Sequence, residues 1–523
     1  MNKLEFGTAG IRGKIGLGIE NLNIAHVKRI MHGYAKYLLN KYANQEVRIV
    51  IGRDNRRKSY SFALCSAQIL DSYGIKVYFS KEICPTPFVS YSIMHYKAHG
   101  GINITASHNP KEYNGIKLYN ESAFQMLPEE IQEVSSYFDD YEKYLEPYKT
   151  AKGVKKADFN NLEFISAKVK DKYLNSVAKI ANNLDKSINL NPENIKIVYS
   201  PLHGTGSKFV PKLFKKIFSD SYSDIEQSVF YVKEHMKVDA NFKYVQYPNP
   251  EKHSAYELLI KLGKQKDADI LLMSDPDSDR VGLAVRHDNE YRILNGNETA
   301  IIIFKFLLDL SKSTIKQPNN NYIVYSFVST NIPEILASAE GIKSVVVPTG
   351  FKWIGKIINE LSNVGKKFMF AFEESYGSLI DEDLSRDKDA LQSIAILTKM
   401  ASYYKKQNKT LINLLNEVYE KVGYVASENI EIEVDKSVDL TQLQGKFKNL
   451  NFENKVIEDF NLKSDFMQSN MIQIKFKNDN SWLALRPSGT EPKIKFYVFA
   501  FDKTIDLAQQ KLNMFKETIK SIL

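Results

Sequence analysis

Short apolar runs that end in clusters of polar residues recur along most of the chain, and each run reads as a buried strand feeding a loop. Three segments repeat one plan. They open with Val47-Arg-Ile-Val-Ile-Gly-Arg-Asp54, Ile195-Lys-Ile-Val-Tyr-Ser-Pro-Leu-His-Gly204 and Tyr322-Ile-Val-Tyr-Ser-Phe-Val-Ser-Thr330. A helical stretch leads to a second strand, at 75–79, 228–232 and 343–347. A third strand follows at 101–105, 269–274 and 367–372, and its end carries a polar loop around Ser107, Asp275 and Glu373 respectively. Strand, helix, strand, helix, strand with near-continuous apolar strands predicts α/β units whose sheets are largely buried. Ligands of such sheets gather beyond the strand ends, so the three units are placed to aim one loop each at a shared cleft.

From about Gly423 the pattern changes. The alternating runs Ile430-Glu-Ile-Glu-Val434, Met471-Ile-Gln-Ile-Lys-Phe476 and Lys493-Ile-Lys-Phe-Tyr-Val-Phe-Ala500 predict half-exposed antiparallel strands, closed by an amphipathic helix over 505–523. The fold class is therefore α/β, with three similar α/β domains with mixed sheets around a central cleft plus a C-terminal α+β domain. The expected divisions are 1–175, 176–300, 301–420 and 421–523. Residues 410–421 predict a helix leading into the last unit, whose single connection near Gly423 makes it the natural lid. Residues 128–148, acidic and aromatic, read as a solvated helix followed by a loop.

Composition narrows the class of protein. With 43% hydrophobic and 25% charged residues, the chain is an ordinary globular one rather than a disordered or membrane one. The apolar run 300–310 is broken by Lys305 and Asp309, and the amino terminus lacks the apolar core of a signal peptide, so a cytoplasmic protein is expected. Two cysteines, Cys65 in a predicted helix and Cys84 before a proline, exclude a disulfide framework and a zinc-ligand spacing. The formal charge of +9 suits anionic ligands. Its lysines are spread along the chain, however, and form no basic block dense enough for nucleic acid.

Three loops carry candidate chemistry. Thr105-Ala-Ser-His-Asn-Pro-Lys-Glu-Tyr-Asn-Gly-Ile-Lys117 hangs a small nucleophile, Ser107, on a turn between apolar runs. Asp275-Pro-Asp-Ser-Asp-Arg280 spaces three carboxylates two residues apart, a pattern that aims hard oxygen ligands at one divalent cation. Arg486-Pro-Ser-Gly-Thr-Glu491 has the makings of a phosphate cradle. Taken singly, the serine reads as a helix cap and the aspartates as a solvated turn. Together, a nucleophile, a cation site and a remote phosphate clamp suggest phosphoryl transfer on a small phosphorylated substrate.

The string around Ser107 resembles the phosphoserine loop of the α-D-phosphohexomutase superfamily, the phosphoglucomutases and phosphomannomutases. The resemblance extends along the chain. Phe6-Gly-Thr-Ala-Gly-Ile-Arg-Gly13 is similar to that family's amino-terminal signature, 275–280 to its metal loop, Glu373-Glu-Ser-Tyr-Gly377 to its sugar-recognition loop and 486–492 to its phosphate-binding loop. Pro348-Thr-Gly-Phe-Lys-Trp353 and Arg386-Asp-Lys-Asp-Ala390 are similar to the branch holding bacterial phosphoglucomutases and phosphopentomutases. Ser278 departs mildly from the pattern, where a smaller or less polar residue is common, and is expected to add a hydrogen bond.

The resemblance implies that Ser107 carries a phosphoryl group, and that Asp275, Asp277 and Asp279 with one oxygen of phospho-Ser107 hold one Mg²⁺ per active site. It places Arg12 and Arg280 nearest the phosphoserine, and it leaves the general acid/base open among Lys117, His108 and Lys388. Glu373 and Ser375 are implied to hold sugar hydroxyls, and Arg486, Ser488, Gly489 and Thr490 the unreacting phosphate. His203 and Lys352 are further candidates to line the cleft. The implied reaction interconverts glucose 1-phosphate and glucose 6-phosphate, with a sugar bisphosphate such as glucose 1,6-bisphosphate as primer. Mannose or pentose phosphates are the alternatives. The expected partner is a small phosphosugar, without nucleic acid or membrane, for a monomer or homodimer.

Overall fold

A computed structural model of the 523-residue chain describes residues 4, 6–7, 10–146, 159–183, 195–218, 225–311, 317–434, 439–477, 479–487 and 493–523. Four sheets follow one another along the chain. In the first, Arg48–Arg53 is central, with Lys76–Phe79 parallel on one side and Gly100–Ile104 parallel on the other. Tyr113–Asn120 then returns antiparallel beside Gly100–Ile104. Gly10–Lys14 and Phe6–Gly7 extend that edge, and Leu162–Phe164 extends the other.

The second sheet repeats the arrangement around Ile197–Ser200, with Val229–Tyr231 and Ile270–Ser274 parallel and Val281–His287 antiparallel. The third repeats it around Asn321–Ser326, with Lys343–Val347, Lys367–Glu373 and the antiparallel Gly377–Leu379. The plan read from the sequence is thus present three times. A fourth strand that the pattern did not reveal closes each copy. In the first copy the reason is visible, since Asn114, Lys117 and Asn120 are buried polar residues that interrupt the apolar signal.

The fold consequently puts each functional loop in the same slot, between the third strand and its antiparallel return. A loop there emerges at the carboxyl end of a buried parallel strand and is anchored at both ends by ladder hydrogen bonds.

Past Gly423 the sheet is wholly antiparallel, in the order Tyr424–Glu433, Lys493–Asp502, Trp482–Pro487, Ile472–Phe476 and Lys455–Asp459. Helices Leu440–Lys448 and Ile505–Lys520 pack Leu443, Phe447, Leu512, Phe515 and Ile519 into this unit's own core. Thr504 caps the second of these, its side chain accepting from the Leu507 amide. Thr410 forms a capping box for the preceding helix Leu411–Val422. The last unit docks on the third, with Phe460 edge-on to Phe327 at 5.0 Å and Phe466 tilted on Trp353 at 5.9 Å.

The divisions expected at 175/176, 300/301 and 420/421 fall inside the continuous helices Ala167–Asn183, Gly296–Ser311 and Leu411–Val422. No proline and no interior glycine breaks these helices, so sequence punctuation does not mark them. Ala167–Asn183 packs between Gly206–Ile217 and Ala390–Lys405, and a single apolar cluster runs through all three repeats. Ala390–Lys405 is buried nearly all round, and Asp389 caps its start by accepting from the Leu391 and Gln392 amides. That cap fixes the residue before it, Lys388. Residues 128–148 begin as the helix Pro128–Ser136 and continue into a short 3-10 turn, Tyr141–Tyr144.

Candidate active site

Ser107 is 1% exposed and sits in the left-handed region at φ 51. A serine holds that conformation only when its surroundings impose it. Here they do. Arg56, also buried, donates to the carbonyls of Ser107 and Asn109 at 2.5 Å each, and to those of Pro110 and Tyr113 at 2.8 and 3.1 Å. Its Nε pairs with Asp54 Oδ2 at 3.2 Å, and Asp54 also accepts from the Ser59 and Thr105 hydroxyls at 2.7 Å each. The Thr105 hydroxyl oxygen in turn accepts the Ser107 amide at 2.9 Å. Sequence reading missed Arg56. Its one signal was position: Asp54-Asn-Arg56 follows the strand Arg48–Arg53, which pairs with the one feeding the Ser107 loop.

The Ser107 hydroxyl donates to Asp275 Oδ2 at 2.8 Å, joining the first repeat to the second. One ligand oxygen from each of Asp275, Asp277 and Asp279 lies within 4.8 Å of the others, and all three residues are buried. Asp277 Oδ1 and Asp279 Oδ1 are buried with no hydrogen-bond partner. Burial, reinforced by Asp277 and Asp279, pushes the Asp275 carboxyl well above the carboxylate range. Three carboxyls this close stay ionised together only if a cation neutralises them. Hard oxygens, two of them unpartnered, suit a small divalent ion.

Lys117 closes the other side of this cluster. Its Nζ lies 2.9 Å from Asp277 Oδ2 and 3.0 Å from Asp279 Oδ2. Burial works against the ammonium, yet the two carboxylates outweigh it and hold Lys117 protonated above its ordinary range. Thr86 donates to Asp277 Oδ2 at 2.7 Å and accepts from Asn103 at 2.8 Å, fixing that carboxylate from the first repeat. Ser278, at φ 54, makes the hydrogen bond expected of it, to the Thr205 hydroxyl at 2.9 Å.

Arg12 donates to Asn109 Oδ1 at 2.9 Å and so lies along the seryl loop. Arg280 pairs with Glu251 at 2.7 Å. His108 Nδ1 is 3.2 Å from Ser107 Oγ, and burial followed by the charges of Arg280 and Arg12 pushes its imidazole well below the ordinary histidine value.

The third repeat brings Lys388 to the same centre. Its Nζ is 3.5 Å from Asp279 Oδ2, 3.5 Å from Asp387 Oδ1 and 4.0 Å from Glu373 Oε2. Burial opposes its charge, but Asp279, Asp387 and Glu373 raise its pKa overall. Glu373 accepts the Gly350 amide at 2.8 Å, and Ser375 lies half-buried in the turn between Lys367–Glu373 and Gly377–Leu379. Glu374 points away from this centre, accepting from Ser326 and Ser329 at 3.0 and 3.2 Å.

One expectation is corrected. His203 does not line the cleft, because both ring nitrogens bond backbone, Nδ1 with Lys237 O at 2.8 Å and Nε2 accepting the Tyr244 amide at 3.4 Å. Lys352 is half-buried at the start of helix Phe351–Asn363, where its ammonium lies 5.9 Å from the Trp353 ring. Arg486 is half-buried at the end of Trp482–Pro487, across from Lys495. Ser488, Gly489 and Thr490 lie outside the described residues, as do Thr8 and Ala9 of the amino-terminal motif.

Comparison with known proteins agrees with this geometry. Residues 3–145, 171–289 and 295–422 match, in turn, the alpha/beta/alpha domains I, II and III of phosphoglucomutase/phosphomannomutase. A phosphoglucomutase of Staphylococcus haemolyticus is 35% identical over 518 residues, covering 95% of this chain and 90% of its own. Among solved structures, an open form of parafusin, a phosphoglucomutase from Paramecium, superposes with a TM-score of 0.75 at 16% identity, covering 100% of this chain and 95% of its own. A phosphoglucomutase/phosphomannomutase family protein from Burkholderia thailandensis gives 0.70 at 17% identity, with 99% and 97% covered. Three successive domain matches and a whole-length relative leave one assignment: the chain belongs to the phosphoglucomutase/phosphomannomutase family of the α-D-phosphohexomutase superfamily, a family of phosphotransferase isomerases.

Proposed function

We propose that this chain is a phosphoglucomutase that interconverts glucose 1-phosphate and glucose 6-phosphate through phospho-Ser107 and a bisphosphorylated sugar, primed by glucose 1,6-bisphosphate. The observation that carries the reading is the contact of Ser107 Oγ with Asp275 Oδ2 at 2.8 Å, beside two unpartnered carboxylate oxygens. A Mg²⁺ held by Asp275, Asp277, Asp279 and a phosphoseryl oxygen would offset the charge that builds on the transferring group.

The chain's own residues supply the rest. The substrate's free hydroxyl attacks the phosphorus on Ser107; its oxygen–phosphorus bond forms as the Ser107 Oγ–phosphorus bond breaks. Of the three acid/base candidates, Lys117 and Lys388 are held charged and His108 is held neutral. His108 is therefore the group able to accept the hydroxyl proton and, with Nδ1 3.2 Å from Ser107 Oγ, to hand a proton to the departing seryl oxygen. Lys117, Lys388, Arg12 and Arg280 surround the transferring oxygens with fixed positive charge. Glu373 and Ser375 take the sugar hydroxyls, and Arg486 with Ser488, Gly489 and Thr490 grips the distant phosphate, so that remote binding aligns the reacting end.

We divide the enzyme into four domains, one per sheet, with the last as lid. Cys65 and Cys84, both buried and in no disulfide, suit a reducing compartment such as the cytoplasm. The test is turnover of glucose 1-phosphate, mannose 1-phosphate and ribose 1-phosphate side by side, with Mg²⁺ and the matching bisphosphate, for the native protein and Ser107→Ala. Glucose 1-phosphate should turn over fastest and the variant should lose at least a thousandfold. Preference for another sugar, or a fully active variant, would overturn the reading.

A further inference from the structure

The seryl loop has an outer wall as well as an inner one. Residues 110–113 and 239–247 enclose a cavity of about 1120 Å³ that contains none of the reacting groups described above. Lys14, Lys111 and Lys243 line it, all exposed. Tyr113, Tyr244 and Tyr247 line it too, the last two 48% and 42% exposed. Glu112 and Asp239 are the acids of the wall, and the Asp239 carboxylate is occupied by the Asn241 and Lys243 amides.

The cavity is built in advance rather than formed by a loose loop. His203 holds the 237–247 segment from beneath through Lys237 O and the Tyr244 amide, and its ring stacks on Tyr244 at 6.0 Å. Asn55 donates to Asp239 O at 3.0 Å. A preformed wall loses little freedom when a ligand arrives. Exposed tyrosine rings suit the apolar faces of a sugar ring, and exposed lysines suit phosphate groups.

The wall is also joined to the nucleophile. Phe242 lines the cavity and carries the Arg56 guanidinium over its ring at 5.2 Å. Arg56 in turn holds the carbonyls of Ser107, Asn109, Pro110 and Tyr113. We propose that this cavity is an accessory binding site for a phosphorylated sugar, and that its occupancy steadies the seryl loop from outside. The ligand class rests on the reading of the reaction given above.

Hydrogen exchange of the full-length, unphosphorylated protein with glucose 6-phosphate tests it, because no transfer occurs without a seryl phosphate. Added sugar phosphate should slow exchange at 239–247 and 110–113 with a half-saturation different from that at 275–280. Lys243→Ala/Tyr244→Ala should weaken the first response at least tenfold and leave the second unchanged; Lys111→Gln should do the same more mildly. Protection at 275–280 alone would overturn the accessory site and spare the reaction. Identical half-saturation at both places, unmoved by the variants, would also overturn it, since the loop would then merely follow the catalytic ligand. Protection at neither place would overturn both readings.

Discussion

The reacting end and the recognising end of the cleft are built differently. Around Ser107, Asp275, Asp277 and Lys117 the polar side chains are buried and tied to one another, leaving Asp277 Oδ1 and Asp279 Oδ1 unpartnered, and Ser107 is held in a backbone conformation it would not choose alone. Around Glu373 and Ser375 the chain is a short turn, with Glu373 buried against the Gly350 amide and Lys388, Glu374 tied to Ser326 and Ser329, and Ser375 half-open. Phosphoryl transfer tolerates little misplacement, so its groups are fixed before substrate arrives. A sugar that must be accepted in two orientations is better met by fewer, more accessible contacts.

Arg56→Ala breaks the rigid side of this contrast and has the largest expected effect. It strands Asp54 as a buried unpaired carboxylate, a loss of about 3–5 kcal/mol in stability. Where the variant folds, Arg56→Lys should keep the charge but not the forked hold on the carbonyls, and kcat should fall about a hundredfold with KM nearly unchanged. Steady-state kinetics beside circular dichroism check this; a fall in KM-dependent terms alone would contradict a positioning role.

Glu373→Gln probes the open side. The amide oxygen still accepts from Gly350, so the fold should survive, while KM rises about tenfold with a smaller change in kcat. If kcat collapsed instead, the recognising end would be as strictly positioned as the reacting end.

The smallest effect sharpens the contrast from below the site. Burial pushes the Asp389 carboxyl up to about 6, although it accepts from Tyr173 at 2.8 Å and caps the helix behind Lys388. A carboxyl with a raised folded pKa favours the native state while protonated, so its contribution is present at low pH and declines as pH rises from about 4 to about 6. Asp389→Asn should therefore cost stability at pH 4.5 and less, or nothing, at pH 7.5, a swing of about 2–3 kcal/mol at most. Urea melts at the two pH values measure it.

The strands and the slots for the loops were legible because apolar runs and turn residues are local signals. Ser107, Asp275, Asp277, Asp279, Lys117 and Lys388 were legible through their motifs, and the structure brings them together. Arg56 was not, because its partners are carbonyls some fifty residues away that any sequence would supply. The returning strands were hidden where buried polar residues such as Asn114 and Lys117 replaced the apolar pattern. His203 misled for the opposite reason: its string resembles a site, but its ring serves backbone. Helix Ala167–Asn183 shows why no punctuation marks the expected division at 175/176, since it follows the first sheet in the chain yet packs on helices of the next two.

Each repeat keeps its candidate loop in one equivalent slot, and on the proposed reading each slot has taken a separate job: nucleophile, cation, sugar. Labour divided in this way makes substrate choice a modular trait. A descendant that takes another sugar can rewrite the turn at 374–376 and leave the other two hairpins untouched, so new specificities open without rebuilding the chemistry.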